Sequence, residues 1–396
     1  MSNVLPGREA MMTTYNPPNI AFERGEGTWL YAEDGKKYLD FYSGIAVCAF
    51  GHAHPHLVKA LKDQADKFWH CSNMFRITQT EILAKRLTEN SFATKVFFSN
   101  SGAESNECGL KILRKYQESK GRPERKRIIS MSSAFHGRTM GTIAAAGNPA
   151  HTAGFLMEDE GYDQVPFGDL AALEAAITDK TAGIVFEPVQ GEGGIRPAPA
   201  EYVQGVRALC DKHDILMMVD EVQCGMGRTG KLFGYEWSGV EPDVMSLAKG
   251  MGGGFPVGAC LANDKAAEAM VFGTHGSTFG GNPLGGAVGN AVMDLMMEDG
   301  FLASVTEKSD NVRAQLEELI AKHPKALVSV HGLGLMIGLK CVVPNGDMLL
   351  ELRDQGLLCA KSGDNQIRFL PPLNVSNEEL DTAIEILDRA CSKLTA

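Results

Sequence analysis

Short runs of consecutive apolar residues recur along this chain between longer amphipathic segments. Because both faces of such a run are apolar, it is typical of a strand buried inside a sheet and not of a strand with one face in water. We therefore predict a buried strand at each run. The predicted strands are residues 95–98, 127–130, 181–186, 215–219, 244–247 and 257–262.

The two ends of the chain have other patterns. Residues 1–19 contain several prolines and predict an extended arm. An antiparallel meander follows, with strands at 20–22, 29–31 and 37–41, a turn at 25–27 and a hairpin turn at Asp34-Gly35. Near the C-terminus, short strands alternate with amphipathic helices, which indicates an α+β unit. Its predicted helices are 305–322, 349–355 and 377–393, and its strands are 328–330, 335–340 and 366–370. We divide the chain into an arm and meander (1–50), a large domain (51–298) and a C-terminal part (299–396).

Lys249 follows one of the apolar strands and precedes a glycine-rich loop. An ammonium group placed there loses hydration, which favours the neutral, nucleophilic amine, whereas an ordinary surface lysine would stay solvated. Asp220 ends the preceding strand, 29 residues earlier. This gap suits two parallel strands joined by a crossover, so we expect both side chains at the same carboxyl edge of a sheet.

Three further segments carry candidate chemistry. Ser101, Gly102 and Ala103 open a predicted helix, where free N–H groups at the positive end of the helix dipole can bind phosphate. Arg138 lies in a glycine-bearing loop, where its guanidinium can bind a carboxylate through two hydrogen bonds. The carboxylates of Glu187 and Glu192 lie beside glycines after a buried strand, which predicts a site loop and not a part of the core.

Composition excludes several classes of protein. The net charge of −11 over 396 residues argues against a nucleic-acid or anionic-membrane surface. The sequence contains neither an apolar run of membrane-spanning length nor a signal-peptide pattern. Nine scattered cysteines without a CxxC pair predict reduced thiols in a cytoplasmic protein. We expect no metal site at the alternating histidines of 51–56 and no dinucleotide site at the glycines of 225–230.

The segments Asp220-Glu-Val-Gln223 and Leu247-Ala-Lys249-Gly250 resemble the class III aminotransferases, and the resemblance extends over nearly the whole chain. It implies an α/β fold of type I, with a mostly parallel seven-stranded large domain and a small α+β domain built from both ends of the chain. It also implies pyridoxal 5'-phosphate, with Lys249 as the Schiff-base lysine and proton carrier and Asp220 on the pyridine nitrogen. The cofactor-binding residues that it implies are Ser101, Gly102, Ala103, Phe135, Glu187, Asp220, Val222, Gln223, Lys249 and Thr278.

The resemblance also implies how substrates are bound. Glu192 and Arg368 match a gate in which the carboxylate masks the arginine for a terminal-amine donor and releases it for the α-carboxylate of glutamate. Arg138 and Ser277 would contact the donor, and Tyr15 is a further candidate. Thr278 lies in the segment 275–283, which in the family crosses a homodimer interface and reaches the other subunit's phosphate.

The amino acceptor that this resemblance implies is 2-oxoglutarate. The motifs are most similar to those of family members that act on N2-acetylornithine. Succinylornithine, ornithine and 4-aminobutyrate remain alternative donors, because the same cofactor residues would serve all of them. A glutamate-1-semialdehyde aminomutase is an alternative of another class, which would isomerise one substrate and need no keto acid.

Overall fold

The computed structural model describes residues 8–156 and 159–396 of the chain, so the first seven residues of the predicted arm lie outside the described part. The strands are β1 (Phe22–Glu26), β2 (Trp29–Ala32), β3 (Lys37–Asp40), β4 (Lys95–Ser99), β5 (Arg127–Met131), β6 (Tyr162–Val165), β7 (Thr181–Phe186), β8 (Val189–Gln190), β9 (Arg196–Pro197), β10 (Leu216–Asp220), β11 (Val244–Leu247), β12 (Gly258–Ala262), β13 (Leu327–Leu333), β14 (Met336–Cys341), β15 (Leu357–Leu358), β16 (Ala360–Ser362) and β17 (Gln366–Phe369).

The helical segments range from single turns to 22 residues. They are α1 (Ser43–Ala46), α2 (Pro55–Ala65), α3 (Thr78–Glu89), α4 (Gly102–Ser119), α5 (Met140–Ala146), α6 (Pro149–Thr152), α7 (Leu170–Ala176), α8 (Ala200–His213), α9 (Asp264–Ala267), α10 (Pro283–Met296), α11 (Phe301–Lys322), α12 (Asn345–Asp354) and α13 (Asn377–Leu394). Within the described ranges, no helix is both long and apolar enough to cross a membrane.

A seven-stranded sheet forms the centre of the large domain, with strand order β4-β12-β11-β10-β7-β5-β6. All neighbouring pairs from β11 to β6 are parallel, and only β12 runs antiparallel to its neighbours. Every residue of β7, β10, β11 and β12 is buried. Burial of both faces explains why these strands are uninterrupted apolar runs, and the predicted α/β fold with a mostly parallel sheet is confirmed.

The site residues lie where parallel strands end. Strands β10 and β11 are adjacent and parallel, with Asp220 paired to Ser246. The crossover between them contains a 3₁₀ turn at Gly234–Trp237 and no α-helix. Asp220 at the end of β10 and Lys249, two residues beyond β11, therefore emerge at one edge of the sheet, as the spacing predicted.

The two ends of the chain meet in a second sheet of order β1-β2-β3-β15, in which β15 runs parallel to β3. The predicted turn at 25–27 was placed too early, because β1 continues to Glu26 and pairs there with Trp29. The C-terminal strands form a third sheet of order β13-β14-β17-β16, which α11 and α12 cover, and α13 packs against these two helices. This arrangement supports the division at residues 50 and 298, which stays a proposal.

The single turn α1, which follows β3, is left-handed. The φ angles of Ser43 and Ile45 are 46° and 64°, a region that costs a non-glycine residue about 1 kcal/mol or more. Asp40 stabilises the turn: its Oδ1 accepts the N–H of Ser43 at 2.8 Å, and its Oδ2 lies 2.7 Å from Nε2 of His52. The turn leads directly to Val47, which lines the cavity described next.

Candidate active site

A cavity of about 350 Å³ opens at the carboxyl edge of the central sheet. Its wall combines the ends of β10 and β11, the start of α4 and the loops after β5 and β7. Ten residues that the sequence singled out line it: Ser101, Gly102, Ala103, Phe135, Glu187, Glu192, Asp220, Val222, Gln223 and Lys249. Of these ten residues, the two farthest apart in the sequence, Ser101 and Lys249, are separated by 148 positions and still meet in one pocket.

Asp220 is buried at the end of β10, 3% exposed, and both of its carboxylate oxygens accept hydrogen bonds. Oδ2 accepts from Nδ2 of Asn106 and lies 2.7 Å from Nδ1 of His136. Oδ1 accepts the backbone N–H of Val222 at 2.9 Å. These partners fix the orientation of the Asp220 carboxylate in the cavity wall and satisfy its oxygens in a buried position.

Sequence reasoning missed two of these partners, His136 and Asn106. His136 is buried, and its Nε2 has no hydrogen-bond partner among the described residues. Burial is the largest influence and lowers the pKa of His136, but the hydrogen bond to Asp220 and the negative charges of Asp220 and Glu187 together outweigh it and raise the pKa overall. Asn106 also donates to the carbonyl of His136 and accepts from Oγ of Ser246 at 2.6 Å. One signal was present: Asn106 lies four residues after Gly102, on the same helical face.

Lys249 lies in the cavity wall at the first position after the short link from β11. Its φ is 45°, so this lysine occupies the left-handed region that usually favours glycine. Burial lowers the pKa of the Lys249 ammonium, and the negative charge of Asp220 opposes this effect. A lowered pKa increases the neutral, nucleophilic fraction of the amine, which is the property predicted from its position.

The N-terminus of α4 faces the cavity. The hydroxyl of Ser101 accepts the N–H of Glu104 at 3.2 Å and caps the helix. By helix geometry, the N–H groups of Gly102 and Ala103 lack intrahelical acceptors. A Cβ on Gly102 would lie 2.6 Å from Cγ1 of Val222, so only glycine fits this close contact. The arrangement is a suitable cradle for a phosphate group.

Glu187 was expected in a site loop outside the core, but it is buried and only 5% exposed. Its oxygens accept the N–H groups of Phe135 and Gly191 at 3.3 and 3.2 Å. Burial, reinforced by the charge of Asp220, raises the pKa of Glu187 to about 7, although nearby His136 acts in the opposite direction. Glu187 therefore fixes the Phe135 loop from a buried position, whereas the Glu192 side chain is 37% exposed.

Arg368, on β17, forms an ion pair with Glu192 at the cavity. Its Nη1 lies 2.7 Å from Oε1 of Glu192 and donates to Oε1 of Gln223 at 3.3 Å. Its Nε and Nη2 both donate to the carbonyl of Lys361. The Arg368 side chain is only 3% exposed, so its guanidinium is held rigidly while the more exposed glutamate can be displaced.

Five predicted site residues do not line the cavity of the single chain. Arg368 reaches it through Glu192 and Gln223, and the other four are Arg138, Ser277, Thr278 and Tyr15. Arg138 is exposed, with its guanidinium carbon 5.7 Å from the ring centre of Phe135 and Nη2 3.0 Å from Nε2 of His151. Ser277 contacts a wall residue through a 3.4 Å hydrogen bond from Asn100. Thr278 is exposed. Tyr15 is 84% exposed, and the structure does not bring it into the site.

Comparison with known proteins gives a consistent result. The family model described as aminotransferase class-III matches residues 10–391. The acetylornithine aminotransferase of Brucella melitensis is 53% identical over 96% of this chain and 95% of its own length.

Solved structures agree with the family match. The crystal structure of N-acetylornithine aminotransferase from Stenotrophomonas maltophilia has a TM-score of 0.85 at 37% identity, covering 96% of this chain and 98% of that one. An ornithine aminotransferase from Toxoplasma gondii has a TM-score of 0.93 at 26% identity, covering 98% of this chain and 93% of its own, and its active site holds pyridoxal phosphate at partial occupancy.

Class III aminotransferases use pyridoxal phosphate, and the side chains of this cavity fit that group. A buried carboxylate, Asp220, is available for the pyridine nitrogen, and the amine of Lys249 for the aldehyde. The helix start at Gly102 offers N–H groups for the phosphate. Phe135 offers an aromatic face for the ring. All four are properties of this chain's own residues.

Proposed function

Because the chain belongs to the class III aminotransferase family, we propose that it transfers the terminal amino group of N2-acetyl-L-ornithine to 2-oxoglutarate. The products are N-acetyl-L-glutamate 5-semialdehyde and L-glutamate, a step of arginine biosynthesis. Relatives named acetylornithine aminotransferase, at up to 53% identity over nearly the full length, support this choice of donor. The main support for this proposal is the ion pair between Glu192 and Arg368, because its closed and open forms would let one cavity bind two different substrates.

The cofactor, when bound, accepts the amino group and withdraws electrons through its protonated ring. Asp220 would keep the proton on the ring nitrogen, since its carboxylate is buried and held by Asn106 and His136. Nζ of Lys249 would take the proton from the donor's reacting carbon, because its lowered pKa increases the neutral fraction of the amine that can accept a proton. Gln223 would donate to the cofactor's phenolic oxygen.

The terminal-amine donor and glutamate differ in shape, and both must bind in turn in the same cavity. A donor that reacts through a terminal amine places no carboxylate at Arg368, so the pair with Glu192 can stay closed. The α-carboxylate of glutamate would displace Glu192 and bind Arg368, whose buried guanidinium is already oriented. Arg138, near Phe135 at the exposed side of the site, would bind the second carboxylate. The same residues thereby select each substrate in its own half-reaction.

The proposal includes a homodimer with shared active sites. Thr278 of the partner subunit would donate its hydroxyl to the phosphate, and Ser277 would contact the donor. The exposure of Thr278, outside its own chain's cavity, supports this arrangement, as does the neighbouring Phe279, which is 61% exposed. We also propose a cytoplasmic location, supported by nine free thiols.

Steady-state kinetics with four donors test the proposal. We expect kcat/KM with 2-oxoglutarate as acceptor to be highest for N2-acetylornithine, ahead of succinylornithine, ornithine and 4-aminobutyrate. We expect no turnover without a keto acid. A higher value for another donor would overturn the choice of substrate. Isomerisation of glutamate-1-semialdehyde without any keto acid would overturn the reaction itself.

A further inference from the structure

The loop after β5 carries Arg138, whose guanidinium meets two rings in the described part of the chain. Its Nη2 lies 3.0 Å from Nε2 of His151, and its carbon lies 5.7 Å from the ring centre of Phe135. The ring of His151 also meets that of Phe135 edge to face, with the ring centres 6.2 Å apart and an interplanar angle of 89°. The three side chains therefore form one cluster beside the active-site cavity, whose wall includes Phe135.

The hydrogen bond between Arg138 and His151 fixes the state of the imidazole. A guanidinium can only donate, so Nε2 of His151 is the acceptor and the ring is neutral, with its proton on Nδ1. Burial, and next the charge of Arg138, lower the pKa of His151, although the charge of Glu192 acts in the opposite direction. A lowered pKa favours the same neutral form. His151 therefore accepts a hydrogen bond from Arg138 without compensating its charge.

Arg368, the other arginine of the site, is held in a different way. Glu192 forms an ion pair with it at 2.7 Å, so its charge is masked until the glutamate moves. Arg138 is held by a neutral acceptor instead, and its charge stays available to a substrate. An arginine that is already oriented and not neutralised binds a carboxylate at a low cost in side-chain entropy.

The backbone around His151 is fixed by local contacts. His151 lies on the single turn α6, where its N–H donates to the carbonyl of Asn148 at 2.8 Å. Oδ1 of Asn148 accepts the N–H of Ala150 at 3.0 Å and caps the turn. Gly147 joins α5 to this turn with a φ of 62°, and a Cβ there would lie 2.6 Å from Cδ of Gln164 on β6. Close packing against β6 therefore fixes where the turn with His151 begins.

The backbone around Arg138 is fixed from α4. Oε1 of Glu107 accepts the hydroxyl of Thr139 at 2.5 Å and the N–H of Gly141 at 3.1 Å. Thr139 directly follows Arg138, so these bonds anchor the backbone of the arginine but not its long side chain. The hydrogen bond to His151 acts on the guanidinium itself.

We propose that His151 is a positioning residue that holds Arg138 ready for a substrate carboxylate. It accepts from the guanidinium without neutralising it, and it thereby lowers the cost of ordering the arginine when a dicarboxylate binds. This role rests on the proposed function, in which Arg138 binds a carboxylate of the substrate. It adds a residue that does not line the cavity and acts only through Arg138.

Binding of glutarate to the holoenzyme, measured by titration calorimetry, tests this role without any turnover. Glutarate has the two carboxylates of 2-oxoglutarate but no keto group that can react. His151→Leu removes the acceptor, whereas His151→Gln keeps an acceptor oxygen near the position of Nε2. We expect the Kd of glutarate to rise about 5-fold in His151→Leu, the cost of ordering one long side chain, and less than about 2-fold in His151→Gln. His56→Leu is the matched control, because His56 also makes a side-chain hydrogen bond, to Asp294, but outside the cavity.

A double-mutant cycle shows whether His151 acts through Arg138. Arg138→Ala should weaken glutarate binding more than His151→Leu does, and the double variant should bind no more weakly than Arg138→Ala. An unchanged Kd in His151→Leu, an equal loss in His151→Gln, or losses that add in the double variant would each overturn the role of His151 alone. An unchanged Kd in Arg138→Ala would instead overturn the carboxylate-binding role of Arg138, and the role of His151 with it.

Discussion

Nη1 of Arg368 and Oε1 of Glu192 lie 2.7 Å apart across the wall of the active-site cavity. The arginine comes from β17 near the C-terminus and is 3% exposed at its side chain, whereas the glutamate comes from the loop after β8 and is 37% exposed. Such a pair opens by movement of the glutamate alone. This asymmetry makes Glu192 the movable member of the proposed gate and Arg368 the fixed one.

Glu192→Gln should therefore change the balance between the two substrates. Glutamine cannot form the ion pair, so the α-carboxylate of glutamate meets an unmasked Arg368. We expect the ratio of kcat/KM for the terminal-amine donor to that for glutamate to fall about 10-fold, equivalent to about 1.4 kcal/mol. Single half-reactions followed by stopped flow give both constants. Glu385→Gln, an exposed change near Arg389, is the control, and equal losses for both substrates would argue against a gate.

Asn106→Ala should slow catalysis without releasing the cofactor. The change removes one of the donors to Oδ2 of Asp220 and leaves His136 as the other. A hydrogen bond to a charged group contributes about 1.5–3 kcal/mol, so kcat should fall roughly 10- to 100-fold. Bound cofactor, measured by absorbance, should stay near one per chain. A kcat of Asn106→Ala equal to that of the wild type would show that the contact with Asn106 does not matter for the role of Asp220.

Glu221→Gln should alter how stability depends on pH. Glu221 is 1% exposed, and burial raises its pKa to about 7, although the N–H groups of Gly234 and Tyr235 favour the carboxylate. Because the folded pKa lies above the unfolded pKa, the contribution of Glu221 to stability is fully present below about pH 4.5 and is lost as pH rises to about 7. The decline attributable to this group is roughly 3 kcal/mol.

The glutamine variant lacks that titration and loses one acceptor at every pH. Unfolding by urea at pH 5.5 and pH 8 separates these effects. We expect the free energy of unfolding of Glu221→Gln, relative to the wild type, to improve between the lower and the higher pH. A constant difference would mean that Glu221 ionises in the folded protein at its ordinary pKa.

Thr278→Val tests the shared active site. Alone, it should weaken cofactor binding, and Lys249→Ala alone should be inactive. In a heterodimer of the two variants, one site has both Lys249 and Thr278 of the partner subunit. Co-expression in equal amounts should therefore restore about a quarter of the wild-type turnover, since half of randomly formed dimers carry one intact site of two. Activity no greater than the sum of the separate variants would rule out this contribution across the interface.

Much of this architecture could be predicted because buried parallel strands leave a direct trace in the sequence. The apolar run before Asp220 and the one before Lys249 placed both side chains at one sheet edge without any structural information. His136 and Asn106 could not be recognised in the same way. The contact of Asn106 with Asp220 depends on how α4 is rotated over the sheet, and that of His136 depends on the path of the loop after β5. Tertiary packing decides both, and a local pattern encodes neither.

Other differences have similar causes. Glycine is the residue that usually takes a positive φ, yet Ser43 and Ile45 have such angles, and the carboxylate of Asp40 stabilises the turn by accepting the N–H of Ser43. Glu187 was expected outside the core, since it follows a strand and precedes a glycine-bearing loop, but backbone N–H groups satisfy its carboxyl in a buried position. Tertiary hydrogen bonds override local preference at each of these positions.

The most direct test of the central claim is the visible spectrum of the holoenzyme after addition of N2-acetylornithine without any keto acid. We expect rapid loss of the visible absorption band of the Lys249-bound cofactor, because the amino group passes to the cofactor and has no acceptor. Addition of 2-oxoglutarate should restore the band. A band that persists with N2-acetylornithine but disappears with another donor would contradict the proposed substrate, and a wild-type protein without any such band would contradict the role of Lys249.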